Sequence, residues 1–428
     1  MNDVDGNRLE EFRQLKQEIP HSEQHLIVGI DVAKERHHAF FGTATGKTLL
    51  RSLVFNNAYE GFRKLLDQTE ALRVRHDLKK VVYGMEPTAN YHRPLAEFLI
   101  HLERCVVLVS GVTAKRNRES LDGRWDKHDV KDSANVADLI SQGKCLYYDF
   151  PAASLRGLRN LLSFKRRLKK QEQSYQGRIR NHLIAQYYPE MDREYARLRT
   201  EGVGIMRWCF PPSEMTMLEV DPFIERVTSG RVRLEKRERL TRIWDQAAET
   251  VGCDTVPGAA HVARLMAEGL GQIREMIEET EEQIEELCEG FPEYAYLLTI
   301  PGFGPDVSSK VLGAIGEADR FQNGKQVVKL AGYDLIADRS GKGSERAIPQ
   351  ISKRGKADLR YSLYQAALIA STRNREFIRY FTNKIRGREK EKGIQRKLLV
   401  KLSAKMLLIA WTLMKKKEGF NSAYLNLE

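Results

Sequence analysis

The sequence is poor in cysteine and in long apolar runs. Its five cysteines in 428 residues are far apart and show neither a Cys-x-x-Cys nor a mixed Cys/His spacing, which argues against a zinc module and a disulfide scaffold. Nowhere are there the roughly 18 consecutive apolar residues that a membrane-spanning helix needs. Residues 1–20 are polar and charged without an apolar core. We therefore expect reduced thiols, no signal peptide and a cytoplasmic location.

Acidic residues are outnumbered. The chain has 58 Asp and Glu against 70 Lys and Arg, a net charge of +12, which favours polyanionic partners. The charge is uneven, because acids concentrate in residues 275–289 whereas residues 156–180 and 384–417 are strongly basic. A hydrophobic fraction of 42% with 30% charged residues is typical of a globular protein, and the length predicts two or three domains.

The N-terminal part has the pattern of a mixed α/β domain. Apolar and β-branched runs at Leu26–Asp31, His37–Gly42 and Leu49–Phe55 predict three strands, and the short connections make them antiparallel neighbours. Helical and strand patterns then alternate, with helices predicted at 58–71, 91–102 and 129–142 and strands at 80–85 and 105–110. The order β-β-β-α-β-α-β-α is that of the ribonuclease H-like fold, in which the long first strand is central.

Two long helices are predicted in the middle of the chain. The first, at 155–184, is basic, and the second has apolar residues at a and d positions over three heptads from Met266 to Leu287, with glutamates outside. They could pair with each other in antiparallel fashion, or each could pair with a second copy of the chain. Residues 187–257 contain a predicted helix at 223–248 but no assignable chemistry.

The C-terminal part is predicted to be mainly helical. A Gly302-Phe-Gly304 turn between apolar helical segments resembles a helix-hairpin-helix, whose turn amides bind phosphate, although such turns are also purely structural. A loop rich in glycine and serine follows at Asp338–Ser344, and further helices are predicted at 359–371 and 398–415.

Four acidic residues stand where their charges need compensation. Asp31 closes the first strand and Glu86 follows the strand Lys80–Met85, so both emerge at one sheet edge if these strands are neighbours. Asp129 and Asp132 are spaced i, i+3 on one helix face. Two carboxylates about 5 Å apart repel by roughly 3 kcal/mol at an effective dielectric constant near 20, so four together require a cation, and oxygen ligands suit Mg²⁺ or Mn²⁺. The alternatives are a turn cap for Asp31 and complementation of the helix dipole for the helical pair.

Six segments, in order along nearly the whole chain, carry a family resemblance. The first three are Gly29-Ile-Asp-Val-Ala-Lys34, Met85-Glu-Pro-Thr-Ala-Asn-Tyr91 and Asp126-Lys-His-Asp-Val-Lys-Asp132. The later ones are Thr299-Ile-Pro-Gly-Phe-Gly304, Leu330-Ala-Gly332 and Ile351-Ser-Lys-Arg-Gly-Lys-Ala-Asp-Leu-Arg360. Together they resemble the DEDD transposases of the insertion-sequence 110 family, which have a RuvC-like N-terminal domain and a C-terminal transposase domain.

The resemblance implies a domain organisation and a set of partners. It implies an N-terminal extension at 1–25, a ribonuclease H-like (RuvC-like) DEDD domain at 26–150, a helical and coiled-coil region at 151–295 and a mainly α transposase domain at 296–428. The implied partners are donor DNA, target DNA and a non-coding bridge RNA that pairs with both. The family also implies a homo-oligomer, a dimer or a tetramer, in a prokaryotic cytoplasm at the nucleoid.

The resemblance also implies the roles of individual residues. It makes Asp31, Glu86, Asp129 and Asp132 a metal-binding tetrad for Mg²⁺ or Mn²⁺. Ser340 falls where the family has the serine that attacks the DNA phosphate and forms a phosphoserine, in a site completed by the tetrad of a neighbouring subunit. Without the resemblance, a serine beside Arg339 and Gly341 would be assigned to a turn.

Ser344 and, more remotely, Ser352 are the rival nucleophiles.

Several cations are candidates for contact with nucleic acid. Arg339 and Lys342 could hold the phosphate beside Ser340. Exposed basic runs that neutralise phosphates would make binding depend strongly on salt. The candidates for backbone contacts are Arg166, Arg167, Lys353, Arg354 and Lys356.

Three other functions were weighed. The first is a RuvC-like metal-dependent nuclease or resolvase that uses water, in which Ser340 is non-catalytic. The second is a sugar kinase or actin-like ATPase, which would need a glycine-rich phosphate loop after the first strand, where this chain has Ala33-Lys34-Glu35. The third is a non-catalytic nucleic-acid scaffold. We expect a transposase or recombinase.

Overall fold

The computed structural model describes residues 3–122, 129–195, 197–198, 200–228, 230, 232–336 and 350–425; the side chains of 3–7, 120–122 and 129 are outside this description. The chain divides into two compact units, Met1–Ala152 and Ala153–Glu428. The first is built around a mixed sheet and the second is mostly helical.

The N-terminal unit contains one sheet with helices on both faces. Its strands are β1 (His25–Asp31), β2 (Arg36–Thr43), β3 (Thr48–Asn56), β4 (Lys80–Met85), β5 (Cys105–Leu108) and β6 (Leu146–Tyr147). Its helices are α1 (Asp3–Glu18), α2 (Tyr59–Arg75), α3 (His92–His101), α4 (Gly111–Asp122) and α5 (Asp129–Ser141). The spatial strand order is β3-β2-β1-β4-β5-β6.

The first strand occupies the middle of this sheet, as predicted. β1 pairs with β2 in antiparallel fashion and with β4 in parallel, and β2 pairs with β3 in antiparallel fashion. The sequence interpretation did not include α1, α4 or β6. Each carries weak apolar periodicity or, in the case of β6, spans only two residues, so the predictive signal was small.

The two faces of the sheet bury different residues of β1. Leu26, Val28 and Ile30 belong to the core that includes α2 and α3, whereas Ile27 belongs to the core that includes α5. Gly29 also faces α5, because a Cβ atom there would lie 2.2 Å from the carbonyl oxygen of Ser133. Odd-numbered residues of β1 therefore point toward α5 and even-numbered residues point away.

The C-terminal unit consists of helices with one small hairpin. Its elements are α6 (Ala153–Arg178), a π-helical continuation (Ile179–Ile184), α7 (Ala185–Tyr187), α8 (Asp192–Tyr195), α9 (Thr200–Trp208), α10 (Pro212–Met215), α11 (Val220–Val227), α12 (Leu234–Ala247), α13 (Ala259–Glu289), α14 (Pro292–Leu298), α15 (Pro305–Ile315), α16 (Gly324–Ala331), β7 (Leu335–Ile336), β8 (Gln350–Ile351), α17 (Ala357–Arg373), α18 (Arg375–Ile385) and α19 (Ile394–Lys416). In the part of the chain that is described, no helix is long and apolar enough to cross a membrane.

The two long helices, α6 and α13, pack against each other within the chain. A Cβ atom at Gly157 would lie 3.5 Å from the Leu287 side chain, and one at Gly269 would lie 2.6 Å from the Tyr175 ring. The start of α6 therefore meets the end of α13, which is the antiparallel arrangement. The seam positions Leu270, Ile273, Ile277, Thr280 and Ile284 are buried.

The segment that the sequence left unassigned forms its own core. Buried residues from α8 to α12 pack with the π-helical segment and the first half of α13. The single helix predicted at 223–248 was wrong, because α11 and α12 are separate. Gly230 lies between them with a φ of 85°, a left-handed conformation that cannot continue a right-handed helix.

The Gly302-Phe-Gly304 turn between α14 and α15 is packed against α17. Gly302 has a φ of 89°, and a Cβ atom there would lie 2.4 Å from the carbonyl oxygen of Ala366. Both its conformation and its close contact therefore demand glycine. Gly302 therefore has a structural role. At Gly304 the φ is −103° and no atom lies within 4 Å of the Cβ position, so phosphate contact by this turn stays a prediction.

Candidate active site and nucleic-acid interface

Asp31 and Glu86 leave the sheet side by side. Ile30 is in register with Met85 in the parallel pair of β1 and β4, so the residues that follow them, Asp31 and Glu86, occupy neighbouring positions at the carboxyl ends of the two strands. Adjacent strands are about 4.8 Å apart. The sequence prediction that both carboxylates emerge at one edge is therefore met by the strand register.

Alternation along the strands places both residues on the face covered by α5. Asp31 follows Gly29 by two residues and so shares its face. On β4, a Cβ atom at Gly84 would lie 2.0 Å from the Ile140 side chain of α5, and Glu86 follows Gly84 by two residues. The bare backbone at both glycines lets α5 lie directly on the strands that end in the two acids.

The Glu86 carboxylate lies against the first residue of α4. A Cβ atom at Gly111 would be 2.7 Å from Oε1 of Glu86, so the carboxylate lies close to this residue. The N-terminus of a helix carries a partial positive charge, which is a favourable environment for a carboxylate.

Asp132 comes from α5 and is almost completely buried, with 5% of its surface exposed. The next residue, Ser133, covers Gly29, so Asp132 lies on the same side of the sheet as Asp31. The Arg118 Nε atom is 2.6 Å from Oδ1 of Asp132. The two atoms are not aligned for a hydrogen bond, and neither has another hydrogen-bond partner among the described residues.

Asp129 is the first residue of α5, and its side chain lies outside the described atoms. Among the side chains that are described, no three of the histidine, cysteine, aspartate and glutamate residues are close enough together to hold a metal ion. The structure thus brings Asp31, Glu86 and Asp132 to one face without joining them into a single coordination sphere.

Two residues at this face were missed by the sequence reasoning. His38 is directly opposite Asp31 in the antiparallel pair of β1 and β2, so their side chains share a face. Arg118 reaches Asp132 from α4, a helix that was not predicted. The short turn between Asp31 and His38 could have indicated that these two residues lie opposite each other. The proximity of Arg118 to Asp132 is visible only in the tertiary structure.

His37, next to His38, faces the opposite core. It is fully buried and accepts a hydrogen bond at Nδ1 from the backbone N–H of Ala33, at 3.1 Å. Burial lowers the pKa of His37, more than the Asn57 side chain raises it. A neutral imidazole therefore holds the turn that follows Asp31.

The predicted nucleophile and its neighbours lie outside the described residues. These are Ser340, its rival Ser344, and the two predicted phosphate contacts Arg339 and Lys342. The described flanks of this loop, β7 and β8, pair with each other in antiparallel fashion. Beyond them, the Ser352 hydroxyl donates a hydrogen bond to Asp334, with Oγ 2.5 Å from Oδ1.

The hydrogen bonds of Ser352 assign it to the base of this hairpin. Besides its bond to Asp334, it accepts a bond from the backbone N–H of Arg354, at 3.2 Å. The rival assignment of Ser352 as a nucleophile has less support than its turn-closing role, because its proton is already directed at a carboxylate.

Three predicted contacts of nucleic acid follow the hairpin on an exposed segment. Lys353, Arg354 and Lys356 are all exposed. Their backbone is pressed against the end of α16, because a Cβ atom at Gly355 would lie 2.5 Å from the backbone nitrogen of Gly332. The segment is thus held against α16 while the three cationic residues stay exposed. Arg360, in contrast, donates a hydrogen bond to the Ala331 carbonyl at 2.9 Å, so it serves the fold.

The basic helix α6 divides its cations between the surface and the interior. Arg166 and Arg167 are exposed. Lys165, in the same run, is buried and pairs with Glu281 at 2.9 Å and with Asp306 at 2.6 Å. Burial alone would lower the pKa of Lys165, but these two carboxylates raise it. Lys165 therefore serves the packing of α6, whereas contact of Arg166 and Arg167 with phosphate stays a prediction.

Two family models match the chain. Residues 28–189 match the DEDD transposase model of the IS110 type, described as a transposase, and residues 294–382 match the model described as a transposase of the IS116/IS110/IS902 family. The two matches span more than half of the chain and contain every predicted acid and serine. No curated protein matches the sequence. The chain therefore belongs to the IS110 family of DEDD transposases.

Proposed function

We propose that this transposase cuts and rejoins DNA strands through a phosphoserine on Ser340, at a site whose acidic residues bind Mg²⁺ or Mn²⁺. The observation that carries the proposal is the position of Asp31, Glu86 and Asp132, which come from three separate segments and lie on one face of the sheet. A shared divalent ion requires such convergence, whereas isolated turn caps do not. A ribonuclease H-like fold of the N-terminal unit belongs to the same proposal.

The acidic residues fit a hard divalent ion. Carboxylate oxygens are the ligands that Mg²⁺ prefers. The buried Oδ1 of Asp132 is 2.6 Å from Nε of Arg118 but is not aligned with it for a hydrogen bond, so this oxygen retains acceptor capacity that a bound cation would use. Asp31, Glu86, Asp129 and Asp132 would hold the metal. When bound, such ions stabilise the charge that develops on a phosphate during phosphoryl transfer.

Ser340 would supply the nucleophile. Its oxygen forms a bond to phosphorus while the bond from phosphorus to a sugar oxygen breaks, so the serine loses a proton and the released strand end gains one. A hydroxyl of a second strand then attacks the phosphoserine and frees Ser340, which rejoins the strands without net hydrolysis. A serine hydroxyl needs activation, and we assign this to the acidic site of a partner subunit in a homo-oligomer.

The described flanks of the serine loop support this role. Pairing of β7 with β8 brings the ends of the loop together, and the Asp334–Ser352 hydrogen bond continues the closure. The exposed Lys353 and Arg354 follow immediately, where they can hold the phosphate backbone beside the loop.

The remaining cations would bind guide and target strands. Arg166, Arg167 and Lys356 are exposed and can contact phosphates without reading sequence, as Arg339 and Lys342 would beside Ser340. Sequence would then be read by base pairing with an element-encoded bridge RNA, while the protein recognises duplex shape.

The proposal also includes a coiled-coil role for α6 and α13. It places domain boundaries at residues 150 and 295.

Trapping of a protein–DNA adduct tests the nucleophile. Supercoiled donor and target DNA, bridge RNA and Mg²⁺ are incubated with the protein, and covalent adducts are separated after denaturation. We expect an adduct with the parent chain and with Ser344→Ala, and none with Ser340→Ala. Cleavage that persists in Ser340→Ala without any adduct would instead identify the water-using nuclease.

The acidic site is tested in the same assay. Asp31→Asn and Asp132→Asn retain size but lose charge, and we expect both to reduce the adduct by at least about a hundredfold, as does removal of Mg²⁺. Asp138→Asn on the same helix is the matched control. Full adduct formation by Asp31→Asn would contradict the metal site.

A further inference from the structure

A groove in the C-terminal unit is lined by none of the residues assigned above and has the lining of a ligand site. Residues of α18, α19 and the segment near residue 424 line it, and its volume is about 1020 Å³. Sites for drug-sized ligands have roughly 300–1,000 Å³, so the groove has room for a short chain segment.

The groove combines an apolar floor with a cationic rim. Ala404, Leu408 and Ile409 contribute to the floor, and one aromatic ring, Tyr380, is half-buried in the wall. The rim carries the side chains of Arg379, Lys384, Lys401 and Lys405. Among the described residues that line it, Glu376 is the one acid, so the groove is complementary to an anion that also has an apolar part.

Tyr380 is the centre of this arrangement. The Lys405 Nζ atom is 5.2 Å from the centre of its ring and the Lys384 Nζ atom is 5.8 Å from it. Amines at these distances interact favourably with the ring face. A planar group that stacks on Tyr380 would take the place of these amines on the ring, and both would remain within reach of its anionic substituent.

A second ring at the groove is held in a fixed position. Trp411 donates a hydrogen bond from Nε1 to the carbonyl oxygen of Ala318, at 2.9 Å. Its ring also approaches Gly324, where a Cβ atom would lie 3.9 Å from Cζ3. A pre-positioned ring loses little entropy on binding, which suits it to receive a planar partner.

We propose that this groove binds a single-stranded segment of nucleic acid, with a base stacked on Tyr380 and phosphates held by the rim cations. Unpaired bases have free faces for stacking, and aromatic platforms flanked by cations are the usual means of binding them. The bases of a duplex are already stacked on their neighbours, so a duplex could use the rim but not the ring. The inference deepens the proposed function, but its measurement requires neither catalysis nor a metal ion.

Binding of labelled oligo(dT), oligo(U) and a duplex of equal length to the full-length protein in EDTA tests the ring. We expect Tyr380→Ala to weaken single-strand binding about tenfold to a hundredfold, to leave duplex binding within about twofold, and to be rescued by Tyr380→Phe. Tyr361→Ala, which removes a 64% exposed tyrosine outside the groove, is the matched control. Preference for one oligomer identifies RNA or DNA as the occupant.

Two lysines of α19, one inside and one outside the groove, provide an independent test of the rim. Lys401 lines the groove, whereas Lys397, one turn earlier and 60% exposed, pairs with Glu391 outside it. We expect Lys401→Ala to reduce the salt dependence of single-strand binding by about 0.7 in the log–log slope and Lys397→Ala to leave it unchanged. Melting curves verify folding of each variant, and if Tyr380→Ala does not fold, the lysine pair decides.

The proposal is overturned if Tyr380→Ala binds single strands normally or weakens duplex binding equally. It is likewise overturned if that variant only alters the oligomeric state, because the occupant would then be a second copy. Ser340→Ala should keep full oligonucleotide binding. If Ser340→Ala still forms the adduct while Tyr380→Ala weakens single-strand binding, only the assignment of the nucleophile is refuted. If Ser340→Ala forms no adduct while Tyr380→Ala binds single strands normally, only the groove proposal is refuted.

Discussion

The two units of this transposase hold their elements together in different ways. In the N-terminal unit, α5 lies on the sheet at two bare glycines, and the Cβ contacts that side chains would make at Gly29 and Gly84 are as short as 2.0–2.2 Å. In the C-terminal unit, the apolar seam of α6 and α13 is supplemented by the ion pairs that Lys165 makes with α13 and α15. The contact at Gly29 and Gly84 allows no added atom, whereas the ion pairs depend on charge and therefore on pH and salt.

Several titratable groups with shifted pKa values show a related contrast. In the N-terminal unit, burial lowers the pKa values of His25, His37 and His92, so these imidazoles are kept neutral. In the C-terminal unit, burial would raise the pKa of Asp306, but hydrogen bonds and charge from Lys165 and Lys310 lower it. The three histidines of the N-terminal unit are thus kept neutral, whereas Lys165 of the C-terminal unit is charged and paired with carboxylates, and four predictions test this difference.

The largest effect is expected from Gly29→Ala. The new methyl group would lie 2.2 Å from the Ser133 carbonyl oxygen and 2.6 Å from the Ala137 nitrogen, and the backbone of α5 has no flexible end that can move aside. We expect the free energy of unfolding of the N-terminal unit to fall by about 3 kcal/mol or more, measured by urea denaturation. A loss below about 1 kcal/mol would mean that α5 can shift, and would remove the contrast between the units.

A smaller loss is expected from Lys165→Met. The substitution keeps an apolar stem in the interior but leaves Glu281 and Asp306 without this partner. Removal of one member of a buried pair costs about 3–5 kcal/mol, but these carboxylates are 44% and 48% exposed, so we expect about 1–2 kcal/mol after solvent screening.

The matched control for this change is Lys169→Met on the same helix. Lys169 is exposed and pairs with Glu172 at 3.5 Å, so its loss should cost less than about 0.5 kcal/mol. If both variants lose the same free energy of unfolding in thermal denaturation, the buried position of Lys165 adds no stability beyond that of an exposed ion pair.

Mild acid should affect the N-terminal unit first. Because the folded-state pKa values of His25, His37 and His92 lie below the ordinary 6.5, the unfolded state takes up protons first as the pH falls. Their contribution is complete above pH 6.5 and is lost as the pH falls through the folded-state values. The lowered pKa of Asp306, ordinarily 3.8, protects the C-terminal unit until the pH is lower than about 4.

Hydrogen exchange measured by mass spectrometry at pH 7 and pH 5, corrected for the intrinsic exchange rates, separates the two units. We expect peptides of the N-terminal sheet to lose protection at pH 5 and peptides of α6 and α13 to retain it. His37→Phe keeps an aromatic ring between Phe55 and Phe62 and should flatten the pH dependence. An unchanged slope in this variant would exclude His37 as a source.

The smallest effect is a gain of stability from Gly271→Ala in α13. No atom lies within 4 Å of the Cβ position there, and alanine in a helix interior is more stable than glycine by about 0.5–1 kcal/mol. Calorimetry of this variant beside Gly29→Ala compares the same added methyl group in the two kinds of packing. A loss of stability in α13 would show that its surface is more crowded than the structure indicates.

Much of the N-terminal unit could be predicted because its strands are locally encoded. The run Leu26–Asp31 is apolar and β-branched, and its observed strand begins at His25 and ends at Asp31. The contact between Arg118 and Asp132 was not predictable, because α4 has weak apolar periodicity and its partner lies on another helix. Likewise, the burial of Lys165 in a basic run has no local signal, since a lysine that pairs internally looks the same in sequence as one that binds phosphate.

The sequence by itself determined the order of strands and helices, the excess of positive charge and the motifs of the IS110 family, because each depends on residue type and on spacing along the chain. Only the tertiary structure decided which cations are available to a ligand, which face the acids share and that a groove lined by Tyr380 exists. These properties depend on distances between segments far apart in the chain, and periodicity within a segment carries no information about them.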